Sequence, residues 1–253
     1  MLSVAILSGG MATRLYPLTD SIPKALIEVA GVPFIFRQLK YLRTQGVKKV
    51  VLCVGHFGES IQNVVGNGTD FGLEVIYSHD GKTLLGTGGA IRNALPMLEE
   101  TFFVLYGDSY LPIDFVSVEK AFFRSDKPAL MTIMKNNNRW DKSNVVFGDG
   151  SLTTYSKKIK HPRMSFIDYG LSVIHREVLQ TYDAHASFGL DNVFETLASE
   201  GLLEGYEVYN QFYEIGSISG LRETNKYFLK REVNGICEKT SKGGYRDNSA
   251  HRS

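Results

Sequence analysis

The chain predicts an α/β fold built on a doubly wound, mostly parallel sheet. From Val4 to Tyr106, short continuous apolar runs alternate with stretches of helical spacing, the pattern of strands covered on both faces by right-handed crossover helices. The first apolar run, Val4 to Leu7, ends in Ser8-Gly9-Gly10, where adjacent glycines let the backbone turn tightly and bare its N–H groups. The 253 residues are 43% hydrophobic and 22% charged, enough apolar material for the core of one large domain.

Val4–Leu7 is the first buried strand. Pro33–Gln45 places Phe36, Leu39 and Leu42 at helical spacing with Arg37, Lys40 and Arg43 between them; Pro33 suits the first turn and Gly46 the stop. Lys49–Val54 follows as a strand, Glu59–Val65 as a short helix, and Leu73–Tyr77 as a strand. Thr87–Leu98 reads as a helix opening on a glycine turn, and Phe102–Tyr106 as the fourth strand. The second half is less regular. Phe115–Arg124 reads as a helix and Ala129–Met134 as a strand. Asn144–Phe147 and Leu152–Tyr155 flank Gly148-Asp149-Gly150, a hairpin turn. Phe166–His175 is a strand. Asn192–Leu203 is a helix capped by Asp191, and Ser217–Arg231 a helix capped by Ser217 or Ser219. The residues from 232 to 253 are polar and lack periodicity, so a poorly ordered tail is expected there. No composition break separates independent domains, and a single domain over residues 1–231 is expected.

A net charge of +1 gives no global field for nucleic acid or an anionic membrane, so neither is an expected partner and any anion site must be local. Two cysteines, Cys53 and Cys237, make no disulfide framework; Cys53 sits in an apolar run and reads as core. No apolar stretch reaches the length of a membrane span, and no leader pattern precedes the first strand. A cytoplasmic location is expected. The six histidines show no metal-ligand spacing.

The chemistry concentrates in four places. In the first, Ser8-Gly9-Gly10 is followed by Thr13, Arg14 and Lys24: backbone donors, a hydroxyl, a forked cation and a point charge, an inventory suited to a triphosphate. The second, Leu85-Gly-Thr-Gly-Gly-Ala-Ile91, lets backbone groups approach a flat ring. In the third, Leu105-Tyr-Gly-Asp-Ser109, an apolar strand ends on Asp108, at the edge where open α/β sheets bind ligands; a carboxylate there can hold Mg²⁺ against phosphate oxygens. Phe212-Tyr-Glu-Ile-Gly216 adds a late carboxylate. The early turn lacks the Gly-x-Gly-x-x-Gly spacing of a dinucleotide-binding oxidoreductase, and Asp108-Ser-Tyr110 is not the Asp-x-Asp of glycosyltransferases that use NDP-sugar donors.

Ile6-Leu-Ser-Gly-Gly-Met-Ala-Thr-Arg-Leu-Tyr-Pro-Leu-Thr19 followed by Pro23-Lys24 resembles the sugar nucleotidyltransferases, whose segment reads Leu-Ala-Gly-Gly-x-Gly-Thr-Arg-Leu-x-Pro-Leu-Thr, then Pro-Lys. Ser8 and Ala12 depart from it. The resemblance extends from about Ser3 to Leu229 and is closest to short members, heptose 1-phosphate guanylyltransferases and N-acetylmuramate 1-phosphate uridylyltransferases among them. It implies a Rossmann-like nucleotide half (1–114) and a smaller β-rich sugar-binding half (115–231). It implies that Leu7, Ser8, Gly9, Gly10, Thr13, Arg14, Gly86, Thr87 and Gly88 contact the nucleotide. Asp108 and Glu214 become Mg²⁺ ligands, with Glu214 standing where Asp is commoner. Arg14 would bind the β- and γ-phosphates, Lys24 the α-phosphate or the incoming phosphate, and Lys157 the sugar phosphate. Ser156 and Lys158 replace the Glu and Pro that flank that lysine in the family. Ile167-Asp-Tyr-Gly-Leu171 is similar to the family's sugar strand, which puts Asp168, Gly170 and Asp191 on the sugar, with Trp140 and Asn136–Asn138 at its edge. The expected substrates are an NTP and a sugar 1-phosphate, with GTP and a heptose 1-phosphate as the first pairing. A UTP- or CTP-using sugar- or alcohol-phosphate transferase, and a non-catalytic nucleotide-sensing relative, stay open, as does the oligomeric state.

Overall fold

The computed structural model describes residues 1–10, 15–16, 22–81, 83–136, 139–184 and 186–233. Thr13, Arg14, Asn137, Asn138, Cys237 and the segment from 234 to 253 lie outside the described residues.

The strands are β1 (Ser3–Leu7), β2 (Glu28–Val29), β3 (Val32–Pro33), β4 (Lys49–Val54), β5 (Glu74–His79), β6 (Thr101–Tyr106), β7 (Ser109–Tyr110), β8 (Ala129–Lys135), β9 (Val145–Gly148), β10 (Ser151–Tyr155), β11 (Phe166–His175), β12 (Leu203–Val208) and β13 (Tyr213–Glu214). The α-helices are α1 (Phe34–Thr44), α2 (Gly58–Val65), α3 (Gly86–Ala94), α4 (Phe115–Ser125), α5 (Glu177–Gln180), α6 (Leu190–Ser199) and α7 (Ile218–Val233). Among the described residues, one nine-stranded sheet runs β10-β9-β11-β6-β1-β4-β5, with β8 on β11 and β12 on β8. The β6-β1-β4-β5 block is parallel. Antiparallel β11 joins it to the second half, whose outer pair, β12 on β8, is parallel again. The sheet is therefore mixed α/β with a parallel centre.

Both faces of β1 are buried, which is why it reads as a continuous apolar run. Val4 and Ile6 enter one core cluster with Leu39 and Leu42 of α1 and Val118 and Phe122 of α4. Ala5 enters the other with Ala90, Ile91 and Ala94 of α3 and Val193, Phe194 and Leu197 of α6. Each cluster draws on both halves of the chain, so one core serves both.

Most element boundaries match the sequence to a residue or two. The hairpin turn holds Asp149 at φ 51° and Gly150 at φ 73°, positive at both central positions as a two-residue turn of this hand requires. Three expectations need correction. The helix expected over Thr87–Leu98 is α3 up to Ala94, then a 3₁₀ turn over Leu95–Met97; Pro96 has no N–H to continue the α ladder. The helix expected over Asn192–Leu203 is α6, which starts at Leu190 after Gly189; Asp191 lies in its first turn and is not its cap. It stops at Gly201, φ 72°, where the Leu202 N–H reaches back to Leu197 O at 2.8 Å, a left-handed stop that frees the chain to form β12. The β12 strand itself, Leu203-Glu-Gly-Tyr-Glu-Val208, was absent from the expected elements. By contrast Ser217 does cap α7: the Gly220 N–H donates to Ser217 Oγ at 3.0 Å.

Candidate active site

In the order β5-β4-β1-β6, the chain leaves β1 toward β4 on one side and returns to β6 on the other. A crevice opens at the carboxyl ends of strands where the order reverses in this way. Here it is a cavity of about 250 Å³, lined by Leu7, Ser8, Gly9 and Gly10 after β1, Asp80 after β5, Leu84, Gly86, Thr87 and Ala90 around the start of α3, Tyr106, Gly107 and Asp108 after β6, and Lys24 with Ala25. The structure thus gathers Leu7, Ser8, Gly9, Gly10, Lys24, Gly86, Thr87 and Asp108, eight of the site residues named from the sequence, around one space.

The floor is fixed by backbone pairing. Gly107 N–H donates to Leu7 O at 2.9 Å and Ser8 N–H to Cys53 O at 2.8 Å, which consumes those groups. Ser8 Oγ, by contrast, is buried with no hydrogen-bond partner among the described residues. A Cβ on Gly10 would meet no described residue within 4 Å, whereas one on Gly9 would lie 3.1 Å from Gly55 N.

Asp108 is held from three directions. Buried Gln38 on α1 donates through Nε2 to Tyr106 O at 3.0 Å and Ser109 O at 2.8 Å, pinning the turn on both sides of the carboxylate. Ile215 N–H donates to Asp108 O at 2.9 Å, and β13 pairs antiparallel with β7, Glu214 opposite Ser109. Lys24 Nζ donates to Asp108 Oδ2 at 2.9 Å. That small two-stranded ribbon carries Glu214, about a hundred residues later in the chain, to the Asp108 turn. A Cβ on Gly216 would lie 2.7 Å from Glu214 Oε2, 3.2 Å from Asp108 Oδ2 and 3.8 Å from Lys24 Nζ; all three groups converge over the bare Gly216 α-carbon.

Glu214 also serves the fold. Its carboxylate accepts from Gly216 N–H and, at 2.6 Å, from Ser217 Oγ, at the start of α7. Each carboxylate oxygen has two lone pairs, so these bonds leave acceptor capacity. Two neighbouring carboxylates, one of them in the cavity wall, are hard oxygen donors of the kind Mg²⁺ takes when substrate phosphates complete its shell. The donor set fits that ion.

Lys157 stands with its Nζ 5.4 Å from the centroid of the Tyr106 ring, and Tyr106 is part of the cavity wall. Asp168 on β11 is beside it: burial pushes its carboxyl up, and the Lys157 cation and the Gly170 N–H pull it partway back. Gly170 N–H donates to Asp168 Oδ1 at 3.0 Å. Gly170 has φ 107°, and the β11–β8 register shifts between Asp168 and Ser172; a residue with a Cβ would be strained there. Burial, with smaller help from the carboxylates of Asp168, Asp108 and Asp191, holds the Tyr106 phenol well above its ordinary range. Lys157 and Asp168 therefore stand beside the Tyr106 wall of the cavity.

Some expected residues do other work. Gly88 does not line the cavity. Its N–H donates to Phe188 O at 2.9 Å, and a Cβ there would run into the Phe188 ring. That ring stacks on Tyr182 at 4.5 Å. Thr87 lines the cavity, yet its Oγ1 also accepts from Leu190 N–H at 2.8 Å. Asn136 is buried and structural: its Nδ2 donates to Asp141 O at 2.7 Å. Trp140 packs on Phe212, ring centroids 6.0 Å apart.

Sequence reasoning passed over Asp80, Leu84, Ala90 and Tyr106. Asp80 was findable. β5 runs to His79, two residues beyond the expected Tyr77, and Asp80 is the first residue past it, at the same sheet edge as Asp108.

The chain is similar to known proteins. Over 113 residues, 44% of this chain and 49% of the relative, the chain is 37% identical to an N-acetylmuramate alpha-1-phosphate uridylyltransferase of Neisseria meningitidis. It is 26% identical over 75% of its length, and 83% of the relative's, to a D-glycero-alpha-D-manno-heptose 1-phosphate guanylyltransferase of Campylobacter jejuni. The solved structure of HddC from Yersinia pseudotuberculosis complexed with GMP-PN superposes with a TM-score of 0.76 at 25% identity, covering 90% of this chain and all of that one. The chain spans 64%, 49% and 58% of the length of the first three curated relatives it matches. The family model for nucleotidyl transferases matches residues 3–231, which takes in both halves of the sheet and every site residue above, and the chain belongs to that family.

Proposed function

We propose that this chain joins a nucleoside triphosphate to a sugar 1-phosphate, yielding an NDP-sugar and pyrophosphate. The observation that carries the reading is that the Gly9–Gly10 turn, Lys24 and Asp108 line one cavity at the sheet's switch point, with Glu214 brought beside the Lys24–Asp108 pair at Gly216. The relatives are named as transferases acting on sugar 1-phosphates, in keeping with it.

In the reaction an oxygen of the sugar phosphate attacks the α-phosphorus in line. The new P–O bond forms as the α–β bridging bond breaks, and pyrophosphate leaves with the electron pair. The nucleophile is already anionic and needs no general base. The barrier is repulsion between polyanions, so positioning and cationic stabilisation are what the protein must supply. The Gly9–Gly10 backbone, uncrowded at Gly10 among the described residues, receives phosphate oxygens. Lys24 exchanges its pairing with Asp108 for the α-phosphate or the incoming phosphate. Lys157 holds the sugar phosphate, and Asp168, the Gly170 region and Asp191 meet the sugar hydroxyls. Arg14 takes the β- and γ-phosphates. Mg²⁺ held by Asp108 and Glu214 would neutralise charge on the phosphate oxygens. Residues 1–114 serve the nucleotide and 115–231 the sugar phosphate. The setting is surface-polysaccharide or activated-sugar biosynthesis in the cytoplasm, and the first substrate pair is GTP with a heptose 1-phosphate. Among the described residues no helix is long and apolar enough to cross a membrane.

The test is a pyrophosphate-release screen of the four NTPs against heptose, glucose, mannose and amino-sugar 1-phosphates, with and without Mg²⁺. Mg²⁺-dependent release from at least one pair is expected. No release from any pair would leave a nucleotide-binding relative without this chemistry.

A further inference from the structure

We propose that Gly220, in the first turn of α7, is the positioning residue that lets a glutamate serve at position 214: its bare α-carbon makes the slot that holds the Glu214 carboxylate beside Asp108. The proposal rests on the reading that Glu214 and Asp108 hold the metal of a nucleotidyl transfer. Gly220 itself acts only through Glu214.

Glu214 is one methylene longer than the aspartate commoner at this place, so its carboxylate needs room that an aspartate does not. Two glycines supply it, one at each oxygen. A Cβ on Gly216 would lie 2.7 Å from Glu214 Oε2, and a Cβ on Gly220 would overlap Glu214 Oε1. Between them the carboxylate accepts from Gly216 N–H and from Ser217 Oγ at 2.6 Å, while Gly220 N–H holds that Ser217 oxygen at 3.0 Å. One turn further along α7, fully buried Thr224 donates through Oγ1 to Glu214 O at 2.7 Å. The helix thus grips residue 214 by its carboxylate and by its carbonyl, and the β13–β7 pairing keeps both beside the Asp108 turn.

Glycine is a poor helix residue, because it gives up more backbone freedom than any other. The backbone of α7 gives no reason for one here: Gly220 is buried and is not among the glycines with positive φ. What position 220 demands is space, and the Glu214 carboxylate fills it. A methyl group at 220 would drive that carboxylate from the slot, break its bonds to Gly216 and Ser217, and turn it away from Asp108. An aspartate at 214 would vacate the place of Oε1 and leave the methyl only the residue 214 carbonyl to clear, at 2.9 Å. Glu214 and Gly220 are therefore one specification written at two positions.

A double-mutant cycle in the full chain tests this: wild type, Gly220→Ala, Glu214→Asp and the two together. Each is assayed for pyrophosphate release in Mg²⁺ with the NTP and sugar 1-phosphate that wild type turns over fastest, and each is melted without nucleotide or metal. Gly220→Ala is expected to lower kcat about a hundredfold with both KM values little changed, and to lower the melting temperature although alanine is the better helix former. Glu214→Asp is expected to lower kcat about ten- to a hundredfold in the wild-type background, and to raise both kcat and melting temperature when added to Gly220→Ala. That change of sign is the signature of the slot; a general loosening of α7 would not produce it. Wild-type kcat in Gly220→Ala, or a Glu214→Asp change that fails to raise kcat in the Gly220→Ala background, overturns the proposal and leaves the transfer reading standing. No release by the wild-type chain from any pair sinks the transfer reading, and the fit of Glu214 to Gly220 then stands or falls on whether Glu214→Asp raises the melting temperature of Gly220→Ala.

Discussion

The segments Ser8–Gly10 and Gly86–Gly89 both line or border the cavity, both are rich in glycine, and they use it for different ends. At Gly10 a Cβ would meet no described residue within 4 Å, and the missing side chain leaves backbone for a ligand. Around Gly88 and Gly89 there is another part of the protein. Gly89 would put a Cβ 2.6 Å from Ala186 O, and the N–H groups of Gly88 and Gly89 both go to Phe188 O, at 2.9 and 3.2 Å. The second loop is a seat for residues 186–189, through which α3 and α6 come together. A run of glycines in a sequence reports close approach; whether to a ligand or to the chain itself is decided by what is folded above it.

The largest expected effect lies outside both loops, at the carboxylate they face. Asp108→Asn should lower turnover by about 10²–10³-fold with the melting temperature unchanged; full activity would remove Asp108 from the reaction. Next is Gly89→Ala. In an open helix this change stabilises by about 1 kcal/mol, but here the backbone carbonyl of Ala186 blocks the new methyl. A loss of about 1–3 kcal/mol in chemical denaturation is expected, and a gain would break the contrast between the loops. Gly10→Ala should do the opposite: stability within about 0.5 kcal/mol of wild type, and a higher KM for the NTP alone. Lys157→Ala should raise KM for the sugar phosphate about tenfold with little change for the NTP; a change confined to the NTP would reverse the assignment of the two ends. The smallest effect sharpens the frame rather than the site. Burial, with Asp80 nearby, pushes the Cys53 thiol far up, so a thiol reagent added to the folded chain should label Cys53 only at the rate of unfolding.

Much of this was legible in the residues. The parallel centre announces itself because its strands are apolar on both faces, and Asp108 because it ends such a strand. The hairpin at Asp149-Gly150 follows from the two residues that tolerate positive φ. What the chain hides is meeting at a distance. Nothing local to Glu214 says that β13 will lie against β7 and carry it to Asp108. Nothing near Gln38, at a helical position that reads as polar surface, says that its amide will be buried and will clamp Tyr106 O and Ser109 O. Gly88 was assigned to the base because the segment able to cover it, residues 186–189, comes a hundred residues later. The β12 strand was missed for a local reason: Gly201, the signal that stops α6, was read as part of the helix.

The account turns on the claim that the turn after β1 and the carboxylate after β6 grip one metal-bound triphosphate. A crystal of the chain grown with a non-hydrolysable NTP and Mn²⁺ in place of Mg²⁺ tests it most directly, since the anomalous signal locates the ion. The prediction is phosphates over Gly9 and Gly10, with the ion about 2.0–2.3 Å from an Asp108 oxygen. A nucleotide bound elsewhere, or an ion out of reach of Asp108, would contradict it.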